Sequence, residues 1–463
     1  MITYAFTALF LAMIVYFAYF MIFQSETVIN NSYNKRTDLL SETVLRGSIT
    51  ASDGTVLAYS VENEDGSITR IYPYGRMYAH AVGYSINGRT GIESQANFYM
   101  LRSHAFFLSV LKNQFSNERS AGDTVVTTLD HELQTLAYEG LGDYDGAVIA
   151  IEPSTGKILC MVSKPDFDPN SIGDIWEEIT AEDSESTVLL NRVTQGLYPP
   201  GSTFKLLTAA AYLKQHNLDD SQFHFLCEGS FSEDEYTVTC AHDSVHGEED
   251  LTAAVQNSCN CAFASIGLEL DMDLYGQVCT EALFNTSLPG AYGATQSQFV
   301  LNGDSGTFEI MQTAFGQGST LVTPYHMALI TCAIANDGVL MTPYALDHVE
   351  SVDGSVIRRF SSTVYGNLFD AETAKKLQEY MRAVVDGGGA SALYDRDYTA
   401  YGKTGTAEIT TGSDETHAWF VGYAEKEGYE DLVVVVLVER AGGGATYALP
   451  IAQDIFDAYF HRD

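Results

Sequence analysis

Three short polar strings follow one another along the chain, and their residue types are those of an acyl-transfer site. The strings are Ser202-Thr203-Phe204-Lys205, Ser258-Cys259-Asn260 and Lys403-Thr404-Gly405. A serine hydroxyl becomes a nucleophile when a neighbouring base removes its proton. The first string offers a hydroxyl and an amine, the second a polar pair, and the third a strand edge that can dock a carboxylate. Each string is common alone, but their order and spacing predict one catalytic site.

The first string follows Pro199-Pro200-Gly201, which predicts a helix that begins near Ser202. Ser202 and Lys205 then lie three residues apart on one helical face, within reach of each other. A free lysine, with a pKa of about 10.4, is protonated at neutral pH. Lys205 can therefore act as a base only if burial or a nearby cation lowers its pKa. The alternative is a serine N-cap beside an exposed lysine.

The second string predicts two polar side chains, two residues apart on a loop or a helix break, that face a cleft. Ser258 can relay a proton between Lys205 and a leaving amine. Asn260 can hold a substrate amide and orient Lys205. The alternative is a capping or turn pair.

The third string predicts a strand in which Lys403 and Gly405 face one side and Thr404 and Thr406 the other. Gly405 would leave room for a peptide along the strand edge. Lys403 would supply a cation, and Thr404 or Thr406 would bind a terminal carboxylate. The backbone N–H groups of Ser202 and Thr406 are candidates for an oxyanion hole. The alternative is an exposed polar strand end.

A fourth string, Gly303-Asp304-Ser305-Gly306, resembles the nucleophile string of trypsin-like proteases. That fold requires a histidine and an aspartate upstream in an all-β double barrel. The helical patterns in this chain contradict such a fold. We therefore predict an ordinary turn at Ser305.

The cysteines and histidines predict neither a disulfide framework nor a metal site. The seven cysteines are scattered and odd in number, and their spacings do not match a zinc motif. Cys227 and Cys240 can pair in an oxidising compartment; reduced, buried thiols are the alternative. His242 and His246 are four residues apart but lack the glutamate of H-E-x-x-H. We predict no metal and no cofactor.

The charge balance excludes several partners. The chain has 463 residues and a net charge of −37, from 61 acidic and 24 basic residues. Such a charge argues against nucleic acid and against an anionic membrane patch as partners. An apolar content of 46% nevertheless predicts a folded chain.

The N-terminal region predicts a membrane anchor. Tyr4 to Phe23 is an uncharged run of 20 residues, which as a helix is about 30 Å long, the thickness of a bilayer's hydrocarbon core. No small-x-small cleavage site follows Phe23, so we predict an uncleaved transmembrane helix over residues 1–23.

The rest of the chain predicts two further domains. Residues 24–145 have a polar stalk and then short strands with turns at Asp53-Gly54, Asp65-Gly66 and Asn87-Gly88, which predict a pedestal. Residues 146–463 predict one α+β domain. Its predicted strands are Gly146–Ile151, Lys157–Val162 and Leu432–Val438, and its predicted helices are Leu206–Leu213, Leu251–Ala264 and Asp370–Val385.

Strings outside the three motifs strongly resemble the class B penicillin-binding proteins, over nearly everything after the predicted anchor. These strings are Arg46-Gly47-Ser48-Ile49, Tyr72-Pro73, Gly83-Tyr84, Gly91-Ile92-Glu93, Thr127-Thr128-Leu129-Asp130, Gly316-Gln317-Gly318, Thr323-Pro324 and His417-Ala418-Trp419-Phe420-Val421-Gly422. The three motifs also belong to this family and to the serine β-lactamases.

The resemblance implies a penicillin-recognising serine transpeptidase fold: a five-stranded, mainly antiparallel sheet flanked by helices, with a smaller pedestal that resembles a dimerisation domain. It implies that Ser202 attacks the penultimate D-Ala carbonyl of a peptidoglycan stem peptide and that a neighbouring strand's amine resolves the acyl-enzyme. The implied roles of the other residues are base for Lys205, proton relay for Ser258, substrate and lysine anchor for Asn260, and carboxylate binding for Lys403, Thr404 and Thr406.

The resemblance also implies a location and partners. The protein is expected in the bacterial cell membrane as a single-pass protein, with its catalytic domain outside the cytoplasm. The expected partners are D-Ala-D-Ala stem peptides, β-lactam antibiotics and a SEDS-type glycan polymerase. No cofactor is expected.

Three alternative functions share these motifs. A class A β-lactamase needs a glutamate in an E-x-x-L-N setting, and no such string lies between Asn260 and Lys403. A class D β-lactamase has an apolar residue where Asn260 stands. A D,D-carboxypeptidase stays open, whereas the complete motif set argues against a non-catalytic scaffold or β-lactam sensor.

Overall fold

The computed structural model describes residues 2–20, 44–104, 119–290, 292–409 and 415–461. These residues form two compact units, and each is described by itself. The first unit contains the described residues up to Thr127 together with 168–178 and 346–360. The second unit contains 128–167, 179–345 and the described residues from 361 onward.

The described residues form 19 strands and 14 α-helices. The strands are β1 Val44–Leu45, β2 Ile49–Thr50, β3 Val56–Glu62, β4 Ile68–Ile71, β5 Ser120–Ala121, β6 Thr124–Thr127, β7 Gly146–Ile151, β8 Ile158–Lys164, β9 Phe225–Cys227, β10 Ser230–Glu233, β11 Tyr236–Thr239, β12 Gly247–Glu249, β13 Val339–Met341, β14 Leu346–Glu350, β15 Val356–Arg359, β16 Val364–Asn367, β17 Thr399–Glu408, β18 Thr416–Glu425 and β19 Leu432–Val438. The helices are α1 Ile2–Tyr19, α2 Gly91–Gln95, α3 Asn97–Met100, α4 His131–Leu141, α5 Ile172–Ile179, α6 Lys205–Gln215, α7 Leu251–Gln256, α8 Asn260–Glu269, α9 Met272–Glu281, α10 Thr307–Ala314, α11 Pro324–Ala335, α12 Ala371–Gly387, α13 Gly444–Tyr447 and α14 Leu449–Phe460.

The predicted transmembrane helix over residues 1–23 is not found among the described residues, in which helix α1 has 18 residues. Within the described part of the chain, no helix has both the length and the apolar character needed to cross a membrane. Residues 21–23 of the predicted anchor, and the predicted stalk up to residue 43, lie outside the described residues.

A six-stranded sheet organises the first unit, in the order β15-β14-β6-β2-β3-β4. Two predicted turns connect its strands: Asp53-Gly54 joins β2 to β3, and Asp65-Gly66 joins β3 to β4. Gly54 and Gly66 have φ angles of +88° and +81°, which glycine adopts without steric cost. The third turn, at Asn87-Gly88, precedes α2 and joins no strands.

A buried ion cluster holds the start of the first unit together. The Glu93 side chain is fully buried and pairs with Arg46 at 2.6 Å and Arg70 at 2.8 Å. The Tyr72 hydroxyl also donates to it, at 3.2 Å. Burial by itself raises the pKa of the Glu93 carboxyl, but Arg46 and Arg70 together bring it below its ordinary value. The carboxylate is therefore ionised and neutralised where water cannot reach it.

The five-stranded sheet of the second unit confirms the predicted fold. Its order is β17-β18-β19-β7-β8, and every neighbouring pair is antiparallel. The predicted strand Leu432–Val438 is the central strand, β19, and all seven residues are buried. Helices α11 and α14 pack against it, which explains why its sequence is a continuous apolar run rather than an alternating one.

The predicted helical segment Leu251–Ala264 is broken at the second polar string, in agreement with the predicted placement of that string on a loop or a helix break. The chain forms two helices, α7 and α8, separated at residues 257–259. Ser258 has a φ of +56°, which a continuous right-handed helix does not allow. Asp250 caps α7 and Cys259 caps α8. The second polar string therefore lies at a helix break, where its side chains leave the helical register.

We predict that Glu93→Ala strongly destabilises the first unit. The substitution leaves Arg46 and Arg70 buried without their carboxylate, and loss of one partner of a buried ion pair typically costs about 3–5 kcal/mol. The measurement is urea unfolding of the full chain.

The matched control is Glu62→Ala, which removes an exposed ion pair with Arg119. Exposed pairs contribute at most about 1 kcal/mol. Equal losses for the two variants would contradict the importance of the buried cluster.

Candidate active site

Ser202 lies in a single 3-10 turn, Gly201–Phe204, that continues directly into α6. Side chains at positions i and i+3 eclipse each other in 3-10 geometry. This geometry brings Lys205 Nζ to 3.1 Å from Ser202 Oγ. The first string thus combines a half-buried hydroxyl with a fully buried amine.

Two contacts fix the backbone of this nucleophile turn. The Gly201 N–H donates to the Gly316 carbonyl at 2.8 Å, and the Trp419 indole N–H donates to the Pro199 carbonyl at 3.0 Å. Gly316 has a φ of +93°, and a Cβ there would lie 1.7 Å from the Gly201 carbonyl oxygen. Only glycine permits this approach, so Gly316 sets the position of the residue before the nucleophile.

The Lys205 amine is surrounded by oxygen atoms and is shielded from water. Its Nζ lies 2.6 Å from the Ser258 carbonyl oxygen and 2.8 Å from Asn260 Oδ1. The Ser258 hydroxyl lies at 3.2 Å. Burial lowers the pKa of Lys205 to about 8, although nearby Cys259 and Glu249 oppose the shift. A useful fraction of the amine is therefore neutral near pH 7 to 8.

The arrangement of acceptors directs the lone pair of a neutral Lys205. A carbonyl oxygen only accepts hydrogen bonds, so the Ser258 carbonyl and Asn260 Oδ1 take the two N–H groups. The Asn260 amide orientation is fixed because its Nδ2 donates to the Thr239 carbonyl at 3.1 Å. The remaining lone pair is left for the hydroxyls of Ser202 and Ser258. The geometry is that of a base poised to accept a hydroxyl proton.

Lys403 is the second buried amine of the site. Its Nζ donates to Ser258 Oγ at 2.8 Å and to the Thr404 carbonyl at 3.1 Å. Burial, and then the charge of Lys205, lower the pKa of Lys403 well below its ordinary value. Because Lys403 donates to Ser258 Oγ, the proton of Ser258 is left for another acceptor. One hydroxyl thus connects the two lysines.

The third string occupies the edge strand β17, with the side chains alternating as predicted. Lys403 and Gly405 are buried, Thr404 is half-buried and Thr406 is exposed. A Cβ at Gly405 would lie 3.1 Å from Thr203 Cγ2 and from Trp419 Cβ. The glycine lets the nucleophile turn approach the strand.

The backbone of Thr406 faces the nucleophile turn. A Cβ built on Gly201 would lie 2.9 Å from the Thr406 carbonyl oxygen, its nearest neighbour. In an antiparallel strand, the N–H and C=O of one residue point to the same side. The Thr406 N–H therefore also points away from β18, towards the side on which Ser202 lies.

Two family models match this chain. Residues 146–459 match the penicillin binding protein transpeptidase domain. Residues 46–125 match the penicillin binding protein A dimerisation domain. The chain belongs to the penicillin-binding proteins. The resemblance to their class B members is confirmed by relatives and by solved structures.

Similar proteins cover nearly the whole length of this penicillin-binding protein. Peptidoglycan D,D-transpeptidase PbpA of Mycolicibacterium smegmatis is 30% identical over 451 residues, which cover 91% of this chain and 90% of the relative. Among solved structures, penicillin-binding protein A from M. tuberculosis in its imipenem acyl-enzyme complex is 26% identical to this chain, with a TM-score of 0.79. The match covers 91% of this chain and 100% of the M. tuberculosis chain. A D,D-transpeptidase domain from Eggerthella lenta has the same TM-score at 28% identity, covering 90% of this chain and 99% of that one.

Two features of this penicillin-binding protein were missed from its sequence. Gly389 closely approaches the third string, since a Cβ there would lie 2.4 Å from Thr404 Oγ1. Cys227, Cys240, His246 and Cys259 bring four ligand atoms within 4.8 Å of one another, although no metal site was predicted. Their separations of 13, 6 and 13 residues do not have the short C-x-x-C spacing that signals zinc.

The protease-like string forms a turn, as predicted. The Ser305 N–H donates to the Asn302 carbonyl at 3.0 Å, and the Asn302 N–H donates back to Ser305 Oγ at 3.2 Å. Both contacts are local. Ser305 therefore has a structural explanation that requires no catalysis.

We predict that Gly316→Ala slows acylation of the protein by penicillin. The new Cβ must displace Gly201 and with it Ser202, and a misplacement of about 1 Å can cost about 100-fold in rate. The measurement is the acylation rate constant with a fluorescent penicillin.

Gly318→Ala is the matched control, because Gly318 also has a positive φ but its Cβ would meet nothing closer than 3.5 Å. It carries the same kind of backbone strain without the clash. Equal slowing in both variants would show that strain, and not the contact with Gly201, is responsible.

Proposed function

We propose that this chain is a peptidoglycan D,D-transpeptidase that works through an acyl-enzyme on Ser202. The observation that carries this proposal is the buried Lys205 amine, whose two N–H groups have carbonyl acceptors and whose lone pair is left for Ser202 Oγ. The names of the mycobacterial relatives and the acyl-enzyme state of one of them support the same reaction.

Acylation begins when neutral Lys205 accepts the Ser202 proton. Ser202 Oγ then forms a bond to the penultimate D-Ala carbonyl carbon, and the carbonyl oxygen becomes an oxyanion. The N–H groups of Ser202 and Thr406 are the proposed donors to this oxyanion. Removal of one such donor typically lowers the rate by about 10²–10³.

The leaving group requires a proton before the peptide bond breaks. Ser258 is the proposed relay, since its Oγ lies 3.2 Å from Lys205 Nζ and 2.8 Å from Lys403 Nζ. Ser258 gives its proton to the amine of the terminal D-Ala and regains one from Lys205. D-Ala leaves, and the peptidyl group stays esterified to Ser202.

The third string is the proposed docking site for the substrate carboxylate. Thr404 and Thr406 can donate hydroxyl protons to the terminal carboxylate of the stem peptide, or to the carboxylate of a β-lactam, and Lys403 contributes a nearby amine. Asn260 is the proposed anchor for a substrate amide as well as for Lys205. Docking positions the scissile carbonyl above Ser202. This positioning lowers the entropic contribution to the activation barrier.

Deacylation distinguishes transfer from hydrolysis. An amine of a neighbouring stem peptide attacks the ester carbonyl, the cross-link forms, and Ser202 recovers its proton. The transpeptidase relatives support an amine rather than water as the acceptor.

The proposed reaction implies a place and a partner. Stem peptides are found in the cell wall, so we place the catalytic domain outside the cytoplasm. From the resemblance to the family, we also propose that a SEDS-type polymerase supplies the strands that this protein cross-links.

The nucleophile is tested with Ser202→Ala. Incubation with penicillin should add one penicilloyl group to the wild-type protein, detected by intact mass, and none to the variant. The acylated wild type should persist for minutes, because the E-x-x-L-N glutamate that activates the deacylating water in class A β-lactamases is missing between Asn260 and Lys403. The matched control is Ser305→Ala, which removes a hydroxyl from the protease-like turn and should be acylated at the wild-type rate.

Three results would contradict the proposal. Acylation of Ser202→Ala at the wild-type rate would exclude this nucleophile. Loss of acylation in Ser305→Ala would favour the protease-like string. Turnover of penicillin within seconds would favour a β-lactamase.

We predict that acylation speeds up as the pH rises through about 8. The reactive form of Lys205 is the neutral amine, and the pKa of this group is lowered to about 8, so the rate should rise below that pH and level off above it. The measurement is the pH dependence of penicillin acylation. Lys205→Arg, which stays protonated, should be inactive at every pH, and a rate independent of pH would exclude Lys205 as the base.

A further inference from the structure

Three thiols and one imidazole converge beside the second polar string. Ligand atoms of Cys227, Cys240, His246 and Cys259 all lie within 4.8 Å of one another. The three cysteines are buried and are free thiols. The proposed transpeptidase mechanism uses none of these four side chains.

The separations fit a single tetrahedral metal ion. Bonds of about 2.3 Å to sulfur and about 2.0 Å to nitrogen, at tetrahedral angles, place two sulfurs about 3.8 Å apart and a sulfur and a nitrogen about 3.5 Å apart. Cys240 Sγ lies 3.7 Å from Cys227 Sγ and 3.6 Å from Cys259 Sγ. His246 Nδ1 lies 3.4 Å and 3.8 Å from the sulfurs of Cys227 and Cys240.

Separate structural elements deliver these ligands to one point. Cys227 is the last residue of β9 and pairs with Gly247, the first residue of β12. His246 immediately precedes Gly247. The β10–β11 hairpin then leads to Cys240, whose N–H donates to the Gly229 carbonyl at 3.0 Å. The short strands have little hydrophobic core of their own, which is the situation in which small folds rely on a metal.

The start of α8 fixes the position of Cys259. This residue caps the N-terminus of the helix, and its sulfur accepts a hydrogen bond from the Ala262 N–H at 3.3 Å. The sulfur is thereby held beside the other three ligand atoms.

A buried carboxylate next to the cluster independently points to a cation. Glu249 is 2% exposed, and its Oε1 accepts from Asn257 Nδ2 at 3.0 Å and lies 3.9 Å from His246 Nδ1. Its other oxygen, Oε2, is buried and has no hydrogen-bond partner among the described residues. Such an oxygen is costly unless positive charge lies nearby.

We propose that Cys227, Cys240, His246 and Cys259 bind one Zn²⁺ ion. Zinc favours tetrahedral sites made of thiolates and imidazoles. Four protein ligands fill its coordination sphere and leave no position for water or substrate, so the ion is structural. Ligand atoms this close together have room for one ion.

The zinc site connects to the catalytic lysine through two adjacent residues. Thr239 precedes Cys240, and its carbonyl accepts from Asn260, which follows Cys259. Asn260 Oδ1 in turn accepts from Lys205 Nζ at 2.8 Å. Zinc thus fixes the hairpin to the helix break and, through it, positions Lys205. This consequence depends on the proposed function, whereas metal binding itself does not.

Metal content tests the site directly. The full chain, purified under reducing conditions and exposed to Zn²⁺ alone, should retain one zinc per chain by elemental analysis after desalting. Loss of a residue that only orients a metal ligand typically weakens metal binding by about 10–100-fold. Cys227→Ser and His246→Ala each remove a ligand and should weaken zinc binding by more than that. Co²⁺ in place of zinc should give the visible absorption of a tetrahedral thiolate site.

Two matched variants control for adventitious thiol binding. Cys261→Ser removes a thiol whose sulfur lies 3.4 Å from Cys240 Sγ but which does not belong to the four-ligand group. Cys332→Ser removes a buried thiol elsewhere. Both should retain zinc. The proposal is overturned if the reduced wild type retains no zinc, if all four variants lose zinc equally, or if the denatured wild type has two thiols fewer than its seven cysteines because Cys227 and Cys240 are bonded.

The positioning role is tested with the wild-type chain, which avoids variants that fail to fold. Removal of zinc by a chelator should lower the maximal acylation rate by at least about tenfold, the scale of lost base catalysis, and re-addition of Zn²⁺ should restore it. The dissociation constant of the initial penicillin complex should change less, because the carboxylate docks on β17. An unchanged maximal rate in zinc-free protein would overturn the positioning role. Failure of the Ser202 acyl-enzyme test would refute the function and leave the metal measurement unaffected.

Discussion

The site depends on the removal of one amine from water. Lys205 is fully buried, and the desolvation that lowers its pKa is opposed only in part by the polar groups around it. An amine in that environment holds its proton weakly, and the carbonyl acceptors at 2.6 Å and 2.8 Å decide where its lone pair is left. If Lys205 were buried without those acceptors, its amine would be neutral but its lone pair would have no defined direction. If the same acceptors surrounded a solvent-exposed lysine, the amine would stay protonated and could not act as a base.

Close backbone contacts keep the hydroxyls in place around this amine. The Gly201–Gly316 contact fixes the nucleophile turn from one side, and Gly405 lets the same turn approach β17 from the other. Ser258 has a left-handed backbone, which costs about 1–3 kcal/mol for a residue other than glycine. The Lys205 hydrogen bond to the Ser258 carbonyl and the proposed zinc site beside it both stabilise that conformation. Strain at the helix break and burial of the base thus support each other.

Predictions from the sequence were correct where local interactions decide the structure, and incomplete where contacts between residues far apart in the sequence decide it. The central strand Leu432–Val438 was predicted with its observed bounds, because a short, continuous apolar run has few other stable placements. The helical character of 251–264 followed from local propensity, whereas the position of its break depends on capping by Cys259 and on the left-handed backbone of Ser258. Alternation along β17 placed Lys403 and Gly405 on one side, but it did not identify Thr203 and Trp419 as the neighbours of Gly405. The four metal-ligand candidates were missed for a related reason: their spacing reflects the β10–β11 hairpin and the helix break rather than a local motif.

The sequence alone determined the reaction class, because a serine three residues before a lysine, followed by the two other strings in order, is a chemical specification that little else satisfies. It also determined the family, through strings scattered over both units. Only the tertiary structure decided the protonation state and direction of Lys205, since both depend on atoms 53 and 55 residues away. It alone also brought three cysteines and a histidine to one point. Desolvation and tetrahedral geometry depend on which atoms surround a group in space. The order of residues along the chain does not specify those neighbours; the folded structure does.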